Sequence, residues 1–189
     1  MEEIVGDATV RRVDAPGSRA DRSLAGRAAL RELVGDLSGV NPSGILIESR
    51  CPDCGGPHGR PVVMAPDAAR GIRISLAYAG ASAVVAACPG RSVGVDAELA
   101  DDGHSANADD KRRAILSLAP GDGDPLIRWT RIEAVLKADG RGLRVEPHRV
   151  RFYDRGEQLV AGAPDDPRHY EVRDVPLGDD LIVTLALEL

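Results

Sequence analysis

Most of what this sequence indicates about its fold lies in two segments, Val93-Gly-Val-Asp-Ala-Glu98 and Trp129-Thr-Arg-Ile-Glu-Ala-Val-Leu-Lys137. The first predicts a β-strand, because its valines alternate with glycine and acidic residues. A period of two places Asp96 and Glu98 on the same face of that strand. The second segment predicts an α-helix, in which residues four positions apart are neighbours.

The acidic side chains of the two segments are candidate metal ligands. Two carboxylates about 4 Å apart repel by roughly 1–4 kcal/mol at effective dielectric constants of 80 to 20, which favours a cation between Asp96 and Glu98. Glu133 of the helix would add a third carboxylate, and such oxygen ligands suit Mg²⁺ when it also binds phosphate. The alternative is a solvated strand face and an ordinary ion pair between Glu133 and Lys137. Spacing alone does not separate the two interpretations.

Five segments in the same order resemble the 4′-phosphopantetheinyl transferases, specifically their long, Sfp-like, pseudo-dimeric class. The two segments quoted above, the second continued to Leu143, are similar to the two signature motifs of that family. The other three lie before them in the chain. They are residues 20–31, similar to the family's N-terminal helix, His58-Gly-Arg-Pro61, in place of a Gly-Lys-Pro turn, and Ile74-Ser-Leu-Ala-Tyr-Ala-Gly80, in place of a Ser-His-Ser-Gly segment.

The resemblance implies an α+β fold, a 4′-phosphopantetheinyl transferase-like pseudo-duplicate of two α/β halves, residues 1–91 and 92–189. It implies an enzyme that transfers 4′-phosphopantetheine from coenzyme A to a serine of an acyl or peptidyl carrier protein and releases 3′,5′-ADP. The expected cofactor is Mg²⁺ or Mn²⁺, and the expected oligomeric state is a monomer.

The resemblance also implies roles for individual residues. Asp96, Glu98 and Glu133 are expected to hold the metal. Glu133, directly or through a water, is the candidate base for the serine proton, and Lys137 is expected to meet the phosphate that takes the leaving charge. The residues expected to contact coenzyme A are Arg22, Arg60, Tyr78 and Lys137.

Three positions depart from the family pattern. Tyr78 stands in place of a histidine, Arg60 in place of a lysine, and Ile132 in place of a lysine before the motif glutamate. Tyrosine can donate a hydrogen bond but carries no positive charge, whereas arginine keeps its charge and can bind phosphate bidentately. A second hypothesis is therefore a family member that has lost efficient catalysis and acts as a carrier-protein or nucleotide-binding module.

The segment Cys51-Pro-Asp-Cys54 is followed by His58, and this spacing is typical of zinc ligands. A fourth ligand is not evident from the sequence. One interpretation is a turn that shapes the coenzyme A pocket, and the other is a zinc site. A third hypothesis for the whole chain, a small zinc-stabilised structural protein, depends on these three residues alone.

The composition and charge limit the class of protein and the cellular compartment that the sequence predicts. The chain has 189 residues, 43% of them hydrophobic, and a net charge of −6, which argues against general nucleic-acid binding. The acidic N-terminus lacks the apolar core of a signal peptide, and no apolar run is long enough to span a bilayer. Three cysteines, an odd number, indicate reduced thiols. A cytoplasmic protein without a membrane partner is expected.

Local patterns predict the individual elements. A helix capped by Asp21 is predicted over residues 21–37, a second over 111–118 and a third from the Asp124-Pro125 cap to Gly140. Loops are predicted over residues 51–61 and 100–110. The predicted strands are residues 4–13, 45–48, 72–78, 83–87, 92–98, 150–153, 158–161, 170–175 and 181–187.

Overall fold

A computed structural model describes residues 1–100 and 108–189 of the chain. They form an α+β fold, as predicted, with antiparallel sheets. The α-helices among these residues are α1 (Arg19–Ser38), α2 (Ala108–Leu118) and α3 (Pro125–Asp139). The strands are β1 (Glu2–Val5), β2 (Ala8–Asp14), β3 (Leu46–Ser49), β4 (Pro61–Ala65), β5 (Ile72–Ala79), β6 (Ser82–Pro89), β7 (Val93–Leu99), β8 (Arg151–Arg155), β9 (Gln158–Gly162), β10 (His169–Asp174) and β11 (Leu181–Glu188).

The strands form two large sheets and one hairpin. The first sheet has the order β1-β2-β6-β5, the second has the order β7-β11-β10-β9-β8, and β3 pairs with β4. The strand before α1 and the strand before α3 occupy corresponding places. In the first sheet β2 pairs with β6, and β6 pairs with β5, the strand before it in the chain. In the second sheet β7 pairs with β11, and β11 likewise pairs with β10, the strand before it.

Side-chain alternation along the strands builds a four-layer arrangement. On β7, Val93 and Val95 join an apolar cluster shared with β2, β5, β6 and β11, so this cluster lies between the two sheets. The other face of the first sheet packs against Leu30 and Leu33 of α1. The other face of the second sheet packs against α3, for example through Val135. The layers therefore run α1, first sheet, second sheet, α3.

Most predicted elements are confirmed, with shifts of one to three residues at their ends, the largest at the start of α2. The single strand predicted over residues 4–13 is wrong, because the chain turns at Gly6 (φ 63°) and β1 pairs with β2. Strand β4 was not predicted, since Pro61 was placed at the end of a loop. The predicted cap of α1 is also wrong. Ser18 caps the helix, and Asp21 is the third helical residue of a capping box with it.

The predicted boundaries of α3 are confirmed. Asp124 accepts hydrogen bonds from the backbone N–H groups of Leu126 and Ile127, and Gly140 ends the helix in the left-handed conformation, with φ of 92°.

The predicted loop at 100–110 falls mainly on residues 101–107, outside the described residues. Within residues 1–100 and 108–189, no helix combines the length and apolarity that crossing a membrane requires.

Candidate functional site

The site is organised by an unusually close approach of α3 to β7 at Gly94. A Cβ atom at this position would lie 2.0 Å from the carbonyl oxygen of Ala134 and 2.5 Å from the nitrogen of Ala138. Only glycine therefore allows the helix backbone to rest directly on the strand. Because Asp96 follows two residues later on the same strand face, this contact brings its carboxylate against the same face of α3.

Lys137 joins β5, β7 and α3 at one point. Its ammonium donates to Asp96 Oδ1 at 2.7 Å, to the carbonyl of Val95 at 3.0 Å and to the carbonyl of Leu76 on β5 at 3.4 Å. The Asp96 side chain is 11% exposed and that of Lys137 is 28% exposed. Lys137 thus pairs with the strand carboxylate, and its hydrogen bonds cross from its own helix to two strands.

Three carboxylates influence one another in this region. Burial raises the pKa of Asp96, the Lys137 ammonium opposes that rise, and the charge of Glu98 adds to it. Burial also raises the pKa of Glu133, and the charges of Asp96 and Glu98 raise it further. Glu98 forms an ion pair with Lys111 of α2. The strand and the helix therefore bring the three predicted acidic residues into one electrostatic cluster, as the alternation along β7 indicated.

The chemistry of this cluster suits a hard divalent cation, since carboxylate oxygens are the ligands that Mg²⁺ prefers. Mutual repulsion between buried carboxylates is also the condition that a cation relieves. However, the ligand oxygens of Asp96, Glu98 and Glu133 do not all lie within 4.8 Å of one another in this part of the described chain. Lys137 already neutralises Asp96, so a bound metal would have to share or displace that ammonium.

A pocket of about 480 Å³ lies beside this cluster, between α1 and β5. Arg19, Arg22 and Arg27 of α1 line this arginine pocket, and Leu76 forms part of its wall. Since the carbonyl of Leu76 also accepts a hydrogen bond from Lys137, the pocket and the carboxylate cluster are adjacent. Three guanidinium groups in a chain of net charge −6 form a local site for an anionic ligand.

Tyr78 lines the same pocket, as its predicted role requires. Its ring packs on Gly26 of α1, where a Cβ atom would lie 2.7 Å from the phenolic oxygen. Burial raises the pKa of Tyr78, while a hydrogen bond with Ser23 and the charges of Arg27 and Arg22 lower it. The hydroxyl is therefore protonated at neutral pH and is held next to two of the pocket's arginines.

Arg60 is placed apart from the other residues predicted to bind coenzyme A. It does not line the arginine pocket, and its Nη1 donates to the carbonyl of Ala138 at 3.3 Å, at the C-terminal end of α3. Its Nη2 is buried without a hydrogen-bond partner among the described atoms. Burial and the charge of Arg73 lower the pKa of Arg60, whereas the helix dipole at this end of α3 favours its charged form.

The Cys51–His58 segment forms a compact loop at the rim of the arginine pocket. Cys54 Sγ lies 3.0 Å from His58 Nε2, and the sulfurs of Cys51 and Cys54 and a ring nitrogen of His58 all lie within 4.8 Å of one another. The backbone N–H groups of Cys54 and Asp53 lower the pKa of the Cys51 thiol. Cys51, Cys54 and His58, whose spacing in the sequence is typical of zinc ligands, therefore also lie together in the structure.

Three features of the site were not predicted. Arg19 and Arg27 line the pocket beside Arg22, and the spacing of three residues between Arg19 and Arg22 was a signal that was available in the sequence. Gly94 was interpreted only as a member of the alternating pattern. Its close contact with Ala134 depends on a helix that is distant in sequence, so no local signal could have revealed it.

The raised pKa of Glu133 leads to a prediction about stability. A carboxylate whose pKa is higher in the folded than in the unfolded protein contributes stability at low pH that is lost as pH rises through the folded pKa. Glu133→Gln should therefore raise Tm of the metal-free protein at pH 7, and the gain should shrink as pH falls towards 4. Thermal unfolding followed by circular dichroism measures this, with Glu32→Gln on the exposed face of α1 as the control. A lower Tm at pH 7 would contradict the electrostatic account.

Comparison of the chain with models of protein families finds no match. A search of curated proteins likewise finds no significant match.

Proposed function

We propose that this protein is a 4′-phosphopantetheinyl transferase that moves 4′-phosphopantetheine from coenzyme A to a serine of an acyl or peptidyl carrier protein, with release of 3′,5′-ADP. The observation that carries the proposal is the position of the arginine pocket directly beside Asp96 and Lys137. Such a pair of sites suits a ligand that has several phosphates and reacts at one of them. The resemblance of the sequence to the transferase family identifies coenzyme A as that ligand.

The arginines would bind the nucleotide phosphates of coenzyme A. Guanidinium groups form bidentate, charge-assisted hydrogen bonds with phosphate oxygens, and Arg19, Arg22 and Arg27 offer three of them from one helix. Tyr78 would add a neutral hydrogen-bond donor at the wall of the same pocket. The pyrophosphate would then extend past Leu76 towards Lys137 and the carboxylates.

The carboxylate cluster would serve the transfer step. Asp96, Glu98 and Glu133 would hold Mg²⁺ or Mn²⁺, which supplies charge neutralisation to the pyrophosphate when it is bound. Glu133 has a raised pKa, which makes it a better proton acceptor than an ordinary glutamate, and it would take the proton of the attacking serine directly or through a water. Lys137 would move from Asp96 to the phosphate that receives the leaving charge.

The same proposal includes the finer description of the fold. The corresponding strand orders β2-β6-β5 and β7-β11-β10, each with a helix after its first strand, support a pseudo-duplicate with halves 1–91 and 92–189. A monomer would then contain both halves of the site, since the pocket belongs to the first half and the carboxylates belong to the second. We place this enzyme in the cytoplasm, where coenzyme A and carrier proteins occur together, with neither nucleic acid nor membrane among its partners.

Intact-mass spectrometry tests the proposed reaction. An apo carrier protein is incubated with this protein, coenzyme A and Mg²⁺, and a parallel sample contains a chelator in place of the metal. The expected result is a metal-dependent mass gain of one phosphopantetheine on the carrier. Absence of the gain with several acyl and peptidyl carriers, under conditions in which an active transferase modifies them, would refute the proposal.

The pocket assignment predicts a loss of affinity on removal of one guanidinium. Arg22→Ala should weaken coenzyme A binding by roughly 10- to 100-fold, because a charge-assisted hydrogen bond contributes about 1.5–3 kcal/mol. Isothermal titration calorimetry measures the change, and Arg70→Ala, an exposed arginine outside the pocket, is the matched control. An unchanged affinity in Arg22→Ala would mean that coenzyme A does not bind in this pocket.

One observation favours a second candidate, a binding module without efficient catalysis. Lys137 neutralises Asp96 at 2.7 Å, and the three carboxylates are not assembled around a common point. If this arrangement persists when coenzyme A is bound, the protein would retain the nucleotide but would not transfer its phosphopantetheine. Coenzyme A binding that is insensitive to Mg²⁺, together with no mass gain on any carrier, is the result that identifies this function.

A further inference from the structure

The loop formed by residues 51–59 has a chemistry that the transferase proposal does not use. It holds two thiols and an imidazole, while phosphate binding and phosphoryl transfer use cations and carboxylates. Cys51 is 9% exposed, whereas Cys54 and His58 are exposed, so the three ligand groups converge at the surface end of the loop.

The backbone of this loop is closed by its own hydrogen bonds. The N–H of Cys51 donates to the carbonyl of Gly56 and the N–H of Gly55 donates to the carbonyl of Cys51, both at 2.9 Å. The N–H of Gly56 also points to Cys54 Sγ, at 3.4 Å. The backbone of this turn therefore holds the two cysteines in place and directs an N–H group at one of the sulfurs.

Two glycines make this turn possible. Gly55 adopts a φ of 70°, in the left-handed region that glycine favours. Gly59 adopts a φ of 144°, and a Cβ atom there would lie 2.8 Å from the carbonyl oxygen of Arg50. Because Arg50 and Gly59, at the two ends of the loop, lie this close together, Cys51 and His58 lie on the same side of it.

The distances fit a tetrahedral ion after a small movement. Zinc bonds of about 2.3 Å to sulfur and 2.0–2.1 Å to nitrogen place the two ligand atoms about 3.6 Å apart at a tetrahedral angle. Cys54 Sγ and His58 Nε2 are 3.0 Å apart, so entry of the ion requires His58 to move outward by about half an ångström. His58 is exposed, so its ring can make this adjustment.

We infer that Cys51, Cys54 and His58 form a zinc site with three protein ligands and a fourth position open to solvent. Thiolate and imidazole together select zinc over the hard cations proposed for the carboxylate cluster. Asp53 accepts hydrogen bonds from the Cys51 thiol at 3.8 Å and from Arg144 at 3.4 Å, but its oxygens do not belong to the three-residue cluster. A water molecule would complete the coordination, as in zinc sites that keep an open position.

The site would stabilise one wall of the arginine pocket. Pro57, His58 and Gly59 line that pocket, so an ion bound to His58 would fix the wall in position. Zinc binding itself depends only on the three ligands and is independent of the transferase proposal. The zinc site can therefore be present in a protein that transfers nothing, and absent from one that does.

Cobalt substitution tests the inference directly. The protein is reduced, stripped of metal with a chelator, and titrated with Co²⁺ and then with Zn²⁺. We expect thiolate-to-cobalt charge-transfer absorption that saturates at one ion per chain and disappears when one equivalent of Zn²⁺ is added. Cys54→Ser changes an exposed residue, so it should leave the fold intact while weakening zinc binding by more than about 100-fold. His58→Asn should also weaken binding.

The third cysteine supplies the matched control. Cys88 is buried in the cluster between the two sheets, away from the loop, and Cys88→Ala should bind cobalt and zinc as the unmodified protein does. The absence of a charge-transfer band in the reduced protein would overturn the inference. Binding that is unchanged in Cys54→Ser would overturn it as well, because the ion would then have other ligands.

Discussion

Asp96→Asn is expected to reduce phosphopantetheine transfer by at least about 100-fold while the fold remains intact. Loss of a single group that stabilises transition-state charge costs about 10²–10³ in rate, and a metal-binding carboxylate belongs to that class. Asparagine has the same shape as aspartate and still offers Oδ1 to Lys137. The ammonium also keeps the carbonyls of Val95 and Leu76 as acceptors, so it is not left without partners.

The rate of mass gain on an apo carrier measures this prediction, at saturating coenzyme A and Mg²⁺. Asp154→Asn is the matched control, because Asp154 is exposed on β8, at the opposite edge of the sheet from β7. The control should retain full activity, and Tm of both variants should remain close to that of the unmodified protein. If Asp96→Asn keeps most of its activity, Asp96 is not a ligand of an essential metal.

The parts of this site that were predictable from sequence are those governed by local rules. Alternation along β7 placed Asp96 and Glu98 on one face, and the Asp124-Pro125 start with the Gly140 stop defined α3. Both signals lie within a few residues of the structure that they specify. The grouping of Glu133 with Asp96 and Glu98 was implied by the family resemblance, and in the structure α3 packs on β7.

The parts that were not predictable depend on contacts between distant segments. The ion pair of Lys137 with Asp96 joins residues 41 positions apart, whereas helical spacing offered Glu133 as a partner. Arg60 donates to the carbonyl of Ala138, 78 residues later, a contact that its own motif does not indicate. Strand β4 is defined by its pairing with β3 rather than by its own pattern, since it begins with Pro61.

The cap of α1 was missed for a different reason. Both Ser18 and Asp21 are of the residue types that commonly cap helices, and the sequence places them three positions apart. Ser18 with Asp21 three residues later forms a capping box, in which each side chain satisfies a backbone N–H group of the other. The correct start was therefore encoded locally.

Gly94→Ala is expected to destabilise the protein by more than about 3 kcal/mol, the upper part of the range for overpacked cores. The added Cβ would meet backbone atoms of α3 at 2.0 and 2.5 Å, and backbone cannot move aside as the end of a flexible side chain can. Relief requires α3 to separate from β7, which opens the core around Val135 and Ala138 and moves Glu133 away from Asp96. Stability and transfer activity should therefore fall together.

Urea unfolding monitored by the fluorescence of Trp129, the only tryptophan in the chain, measures the effect. Gly71→Ala is the control, because a Cβ atom there meets no atom within 4 Å and its φ is not in the left-handed region. The control should change the free energy of unfolding by less than about 0.5 kcal/mol, as is usual for surface substitutions. An equally small change in Gly94→Ala would mean that α3 does not rest on β7 at this distance. The contact at Gly94 would then not explain how Glu133 and Lys137 come to lie beside Asp96.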